Sequence, residues 1–165
     1  DYVVSWCRER KYLSNKGKAD WSHAMGVDRC FWLYMLECEN GSFYTGYTKN
    51  LAIRYHYHKN GKGSRYTRSF KPVKIAQCWR LFDSVETALK VERFMKNQGR
   101  KTKLLWVEKP ENLKLRISKN IDKELILFPF DVLKVERESK KMDWEKIKNG
   151  FDPFVDIPIS PKKGS

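Results

Sequence analysis

The sequence predicts an α+β fold: a small three-stranded antiparallel sheet flanked by helices, with extensions at both ends. Three observations predict it. Residues 31–47, FWLYMLECENGSFYTGY, are two aromatic-rich apolar runs around Asn40-Gly41, the strongest short-range hairpin signal. Residues 73–82, VKIAQCWRLF, alternate as a third strand does. The stretches after the hairpin and after this strand each begin at a capping residue and continue with helical spacing.

Taken in order, residues 1–30 form an N-terminal extension that is expected to pack through Trp6, Tyr12 and Trp21. The core domain is expected over residues 31–112, with a C-terminal helical extension over 113–150. Residues 151–165, proline-containing and ending in Lys-Lys-Gly-Ser, are expected to be a flexible tail.

Within the domain, Asn50 caps a helix over Leu51–His58 on which Leu51, Arg54, Tyr55 and His58 share one face. His56 and His58 lie about 200° apart on it, so the H-x-H is a poor chelate there. The helix stops at Asn60-Gly61. Residues 61–72, GKGSRYTRSFKP, read as a glycine-rich basic loop.

In the third strand Val73, Ile75, Trp79 and Leu81 are expected on one face. Asp83 is expected to cap the next helix, with Glu86 three residues on and Val85, Ala88, Leu89 and Met95 as its apolar stripe. Glu92 falls in the middle of that stripe. A lone carboxylate facing a core costs several kcal/mol unless it is paired or bound to a cation. It is read either as a paired structural residue or as a metal ligand. Gly99 ends this helix, and residues 100–108 restart a short one before Pro110. Residues 123–129 have the make-up of a strand. Residues 131–149 follow as one or two helices, with Val132, Leu133, Val135, Trp144 and Ile147 inward.

The chain carries 34 basic against 20 acidic residues, a net charge of +14, which points to a polyanionic partner. From Asn40 to Phe82 there is no Asp or Glu, while nine basic residues occur with aromatics among them. A solvated surface mixes signs, so this face reads as a nucleic-acid interface. Its candidate binding residues are Lys49, Lys59, Lys62, Arg65, Tyr66, Arg68 and Lys71. No apolar run reaches the ~18 residues of a membrane helix. The four cysteines form no C-x-x-C pair, which argues against a zinc module. Reduced thiols and a cytoplasmic setting follow as expectations.

Trp32-Leu33-Tyr34, Tyr44-Thr45-Gly46, Arg54, His58 and Glu92, in that order and spacing, resemble the GIY-YIG nuclease family. The likeness is to its small stand-alone bacterial members, relatives of the nuclease domain of the excision-repair protein UvrC, and covers about residues 31–108. The chain departs in having Trp32 for the glycine that opens the first motif. It also has Tyr47 where some members carry lysine. The resemblance implies a metal-dependent endonuclease acting on DNA, in repair, restriction or a mobile element. It implies one divalent cation, Mg²⁺ or Mn²⁺, at Glu92, and a phosphate clamp at Arg54. Tyr34 and Tyr44 would position or deprotonate water, and Tyr47 and His58 are candidate proton relays. A non-catalytic nucleic-acid-binding module on the same fold is the alternative.

The hairpin leaves two registers open. A two-residue loop pairs Glu39 with Ser42 and sets Tyr34 opposite Tyr47. A three-residue loop pairs Cys38 with Ser42 and puts Tyr34 and Tyr44 on one face. The implied mechanism needs both motif tyrosines together and favours the second.

Overall fold

The computed structural model describes residues 30–145, so the expectations for 1–29 and 146–165, Ile147 included, lie outside the described residues. The elements are β1 (Cys30–Cys38), β2 (Phe43–Thr48), α1 (Leu51–Lys59), α2 (Arg65–Ser69), β3 (Pro72–Phe82), α3 (Val85–Lys96), α4 (Arg100–Glu108), α5 (Asn112–Ile117), β4 (Ile126–Pro129) and α6 (Val132–Lys141).

Among the described residues the sheet has four strands in the order β2-β1-β3-β4, where three were expected. β4 pairs antiparallel with the second half of β3, from Trp79↔Pro129 to Phe82↔Ile126. Leu125 and Leu127 carry it there by entering the core.

The β1–β2 turn is the odd-length one. Cys38 N–H donates to Ser42 O at 2.9 Å and Gly41 N–H to Cys38 O at 2.8 Å. Gly41 has φ 77, the left-handed position that a three-residue loop needs and glycine fills without strain. Tyr34 therefore stands opposite Gly46 and Leu36 opposite Tyr44, which leaves Tyr34 and Tyr44 on the same face.

Strand alternation divides the core in two. Phe31, Leu33, Met35, Trp79 and Leu81 face one side, where Ala88, Val91 and Met95 of α3, Trp106 of α4 and Leu113 and Ile117 of α5 pack on them. Trp32, Tyr34 and Leu36 face the other, under Leu51, Ala52 and Tyr55 of α1 and Val135 of α6.

β3 departs from simple alternation. Its pairing with β1 shifts twice, leaving Ala76 and Val73 as extra residues, as β-bulges do. Ile75 is thereby turned to the second face with Tyr34, away from Trp79 and Leu81, and Val73 is 62% exposed. The four residues do not share a face.

α3 corrects the expected cap as well. Ser84, not Asp83, is the N-cap and accepts from Thr87 N–H. Asp83 instead accepts from Ser84 N–H and holds Lys123 Nζ at 2.7 Å. The helix buries Thr87, Ala88, Val91 and Met95, while Val85 and Leu89 are exposed. Its inner face is rotated from the expected stripe, so Glu92 lies at the margin of that face. Part of the expected basic loop is the helical turn α2, capped by Ser64. α5 falls within the helical extension expected over 113–150, and Leu133 of α6 points outward.

Candidate active site

Tyr34 comes from the middle of β1, and its ring crosses the backbone of its partner strand at Gly46. A methyl group on Gly46 would stand 2.5 Å from Tyr34 Oη. The absence of a side chain there is what lets the phenol lie across β2. Tyr34 is 1% exposed.

α1 is set by its cap, Asn50 Oδ1 accepting from Ile53 N–H at 3.1 Å. It turns His58 inward to 0% exposure and sends His56 outward to stack on Trp144 at 3.5 Å. His58 Nε2 lies 3.0 Å from Tyr34 Oη. Its other nitrogen, Nδ1, lies 2.7 Å from Thr67 Oγ1 at the start of α2. Any side chain on Gly63 would overlap the imidazole.

Tyr44 completes the cluster, its ring 6.4 Å from that of Tyr34 and 5.0 Å from that of His58. Tyr66 stacks on its outer side at 6.2 Å with 19° between planes. Asn40 Nδ2 donates to Tyr66 Oη at 3.2 Å, Tyr66 donates to Ser42 Oγ, and Ser42 donates to Asn40 Oδ1 at 2.6 Å. This closed ring ties α2 to the hairpin tip. Arg100 of α4 ties the tip from another direction, donating to Gly41 O and lying over the Phe43 ring at 5.0 Å.

The electrostatics converge on the Tyr34 hydroxyl. Burial raises its pKa well above the tyrosine range, and Tyr44 adds to the rise. A hydrogen bond from Arg54 and the charge of Arg54 pull against it, and the Glu92 charge adds to the rise. Burial, then the Arg54 charge, lowers His58 to about 4, so the imidazole is neutral at neutral pH.

Glu92 is 14% exposed and pairs with Lys96 at 2.9 Å. Among the described residues no group of three or more His, Cys, Asp or Glu side chains gathers to hold a metal.

Tyr34, Tyr44, Arg54 and His58 are thus brought together, with Glu92 near enough for its charge to act on the same hydroxyl. Tyr47 is not among them. Strand alternation puts it on the opposite face, edge-on to Phe31 at 6.1 Å. Lys49, Lys59, Lys62, Arg65, Tyr66, Arg68 and Lys71 are exposed. Lys49 lies over the Phe31 ring at 5.9 Å and Lys59 over the Tyr55 ring at 5.3 Å.

Sequence reasoning missed Thr67. The signal was present as Ser64-x-x-Thr67, whose side chains and backbones cap each other reciprocally. A cleft of about 450 Å³ between β4 and α5, floored by Trp79, contains none of the site residues. No helix among the described residues is long and apolar enough to cross a membrane.

The family model for the GIY-YIG catalytic domain matches residues 30–105. A UPF0213 protein of Streptococcus agalactiae is 37% identical over 81 residues, which are 49% of this chain and 91% of that protein. A UPF0213 protein of Cupriavidus pinatubonensis is 41% identical over 87 residues, 53% of this chain and 96% of its own. The solution NMR structure of the UPF0213 protein BH0048 from Bacillus halodurans is similar at 38% identity. That match covers 48% of this chain and 83% of that one, with a TM-score of 0.32. The segment from the end of α4 through β4 and α6 lies beyond the domain match. The chain spans nearly the whole length of these two relatives, and it belongs to the GIY-YIG family, in the small UPF0213 group.

Proposed function

We propose that this protein is a metal-dependent endonuclease that hydrolyses phosphodiester bonds in DNA. The observation that carries the reading is the convergence of Tyr34, Tyr44, Arg54 and His58 on one buried hydroxyl. That hydroxyl belongs to a domain whose exposed basic side chains suit a phosphate backbone.

On this reading the Tyr34 oxygen accepts a hydrogen bond from the attacking water and aims its lone pair at phosphorus. A phenol held so far above its ordinary pKa acts as a relay and not as a standing phenolate. Arg54 presents its fork to the non-bridging oxygens and stabilises the charge that builds up there. Tyr44, stacked on Tyr66, walls the site from the hairpin side.

A divalent cation, Mg²⁺ or Mn²⁺, fits Glu92. One carboxylate, completed by waters and substrate oxygens, is a usual protein share of a Mg²⁺ site. The Lys96 ammonium 2.9 Å away marks the position as one that draws positive charge. The cation would supply Lewis-acid stabilisation of the phosphoryl oxygens. The exposed basic residues from Lys49 to Lys71 would hold the DNA backbone, and the place of action is cytoplasmic.

The test is a supercoiled plasmid incubated with the full chain and Mg²⁺. Nicked or linear product is expected, lost in Glu92→Ala while DNA affinity stays within about twofold. DNA binding without any product would instead identify a non-catalytic binding module.

A further inference from the structure

His58 is bound at both ring nitrogens. Nε2 faces Tyr34 Oη at 3.0 Å and Nδ1 faces Thr67 Oγ1 at 2.7 Å, and all three side chains are at most 1% exposed. A neutral imidazole carries one N–H, so its position decides which way each neighbouring hydroxyl must turn. On the endonuclease reading, on which this inference rests, Tyr34 Oη accepts a hydrogen from water. Its own hydrogen must then go elsewhere. Arg54 can only donate, so the acceptor in hand is His58 Nε2. Nε2 must therefore be bare and Nδ1 protonated, which requires an accepting oxygen at Thr67.

Thr67 is arranged to accept. Its hydroxyl has one hydrogen and two lone pairs. Ser64 N–H donates into one lone pair at 3.1 Å. Ser64 O, 3.3 Å away, can take the hydrogen. Ser64 Oγ also lies 3.1 Å from Thr67 Oγ1, a contact in which either hydroxyl can donate; with the Ser64 hydrogen turned away, the second lone pair goes to Nδ1, the closer partner at 2.7 Å. The turn that holds this arrangement is pinned by Ser64 Oγ, which accepts from Thr67 N–H at 3.1 Å. Gly63 gives the imidazole the room it needs.

We propose that Thr67 is a positioning residue that holds His58 as the Nδ1–H tautomer, so that Nε2 takes the hydrogen of Tyr34 and the Tyr34 oxygen is left free to accept from the attacking water. No net charge moves within the three side chains. The titratable groups facing His58 are Tyr34 from β1, Tyr44 from β2 and Arg54 from its own helix. With its pKa at about 4, His58 is neutral through the ordinary working range. Below that value the imidazolium would donate from both nitrogens, and Tyr34 would lose its acceptor.

The experiment is long-range ¹H–¹⁵N correlation of histidine-labelled full chain near neutral pH, alongside plasmid cleavage. Wild type is expected to show His58 protonated at Nδ1. Thr67→Ser should keep that signature and most of the activity. Thr67→Val, of similar shape without the hydroxyl, should give a mixed or Nε2–H signature. Its kcat should fall at least about tenfold, with KM within about twofold. Wild-type His58 protonated at Nε2 overturns the proposal, as does an unchanged tautomer in a Thr67→Val protein whose amide spectrum shows it folded. If wild type does not cut DNA, the endonuclease reading falls, while the spectra still decide what Thr67 does to His58.

Discussion

Gly46 shows how much one missing side chain can carry. Tyr34 reaches the site only because its ring lies where a Cβ of residue 46 would be, 2.5 Å from the hydroxyl. The ring is closed in at 1% exposure and has nowhere to retreat. Gly46→Ala should therefore cost about 1–3 kcal/mol, the usual range for overpacking a tight interior. A urea titration reads this directly, and an unchanged midpoint would mean that the ring can move aside. At this scale much was legible from residue type and order: Tyr34, Tyr44, Arg54 and His58 do meet. Tyr47 was misread because a linear spacing does not reveal which face of a strand a residue takes until the turn length is known. Thr67 was passed over because a capping threonine in a basic loop looks like any other turn residue until a buried imidazole is set beside it.

At the scale of elements, what was legible depended on whether one local signal sufficed. α1 ended at Asn60-Gly61 and α4 began after Gly99, as expected, because caps and glycines act within a few residues. β3 was misread because two bulges, invisible in its alternation, turned Ile75 to the other face. The bulge near Ile75 is stitched by a contact 61 residues away: Ile75 N–H donates to Glu136 Oε1 of α6 at 3.1 Å. α6 is itself tied to α1 by Ser139 Oγ, which donates to Ala52 O at 3.3 Å. Glu136→Ala should leave a buried backbone donor unpaired and cost about 1–3 kcal/mol. It should also speed hydrogen exchange at the Ile75 amide. Unaltered exchange there would mean that α6 does not hold the bulge. The segment outside the domain match therefore braces the face from which Tyr34 and His58 project.

For the whole molecule, charge is the organising fact. The net +14 includes an acid-free stretch from Asn40 to Phe82, and six of its Lys and Arg side chains from Lys49 to Lys71 are exposed. Engagement of about four to six phosphates by these residues would give a log–log salt slope of about −3.5 to −5.5 on duplex DNA. Fluorescence anisotropy across a salt series measures it, and a slope near zero would remove this face from binding. The charge was legible because it is a property of composition. The fourth strand was not counted into the sheet because its pairing joins residues more than 40 positions apart, and nothing local to residues 126–129 announces the partner.

That fourth strand has an effect on how the molecules behave towards one another. Phe130 N–H donates back to Cys78 O. By antiparallel alternation, Phe128 and Ile126 also spend their backbone bonds on β3. At the intervening positions, Leu127 and Pro129, the backbone groups face the open edge, and proline has no N–H to offer. The outer edge of β4 thus presents a single backbone donor across its four residues, a poor template for another chain to extend. A protein with tyrosines and tryptophans threaded through its strands is in this way kept from sheet-to-sheet aggregation along that side.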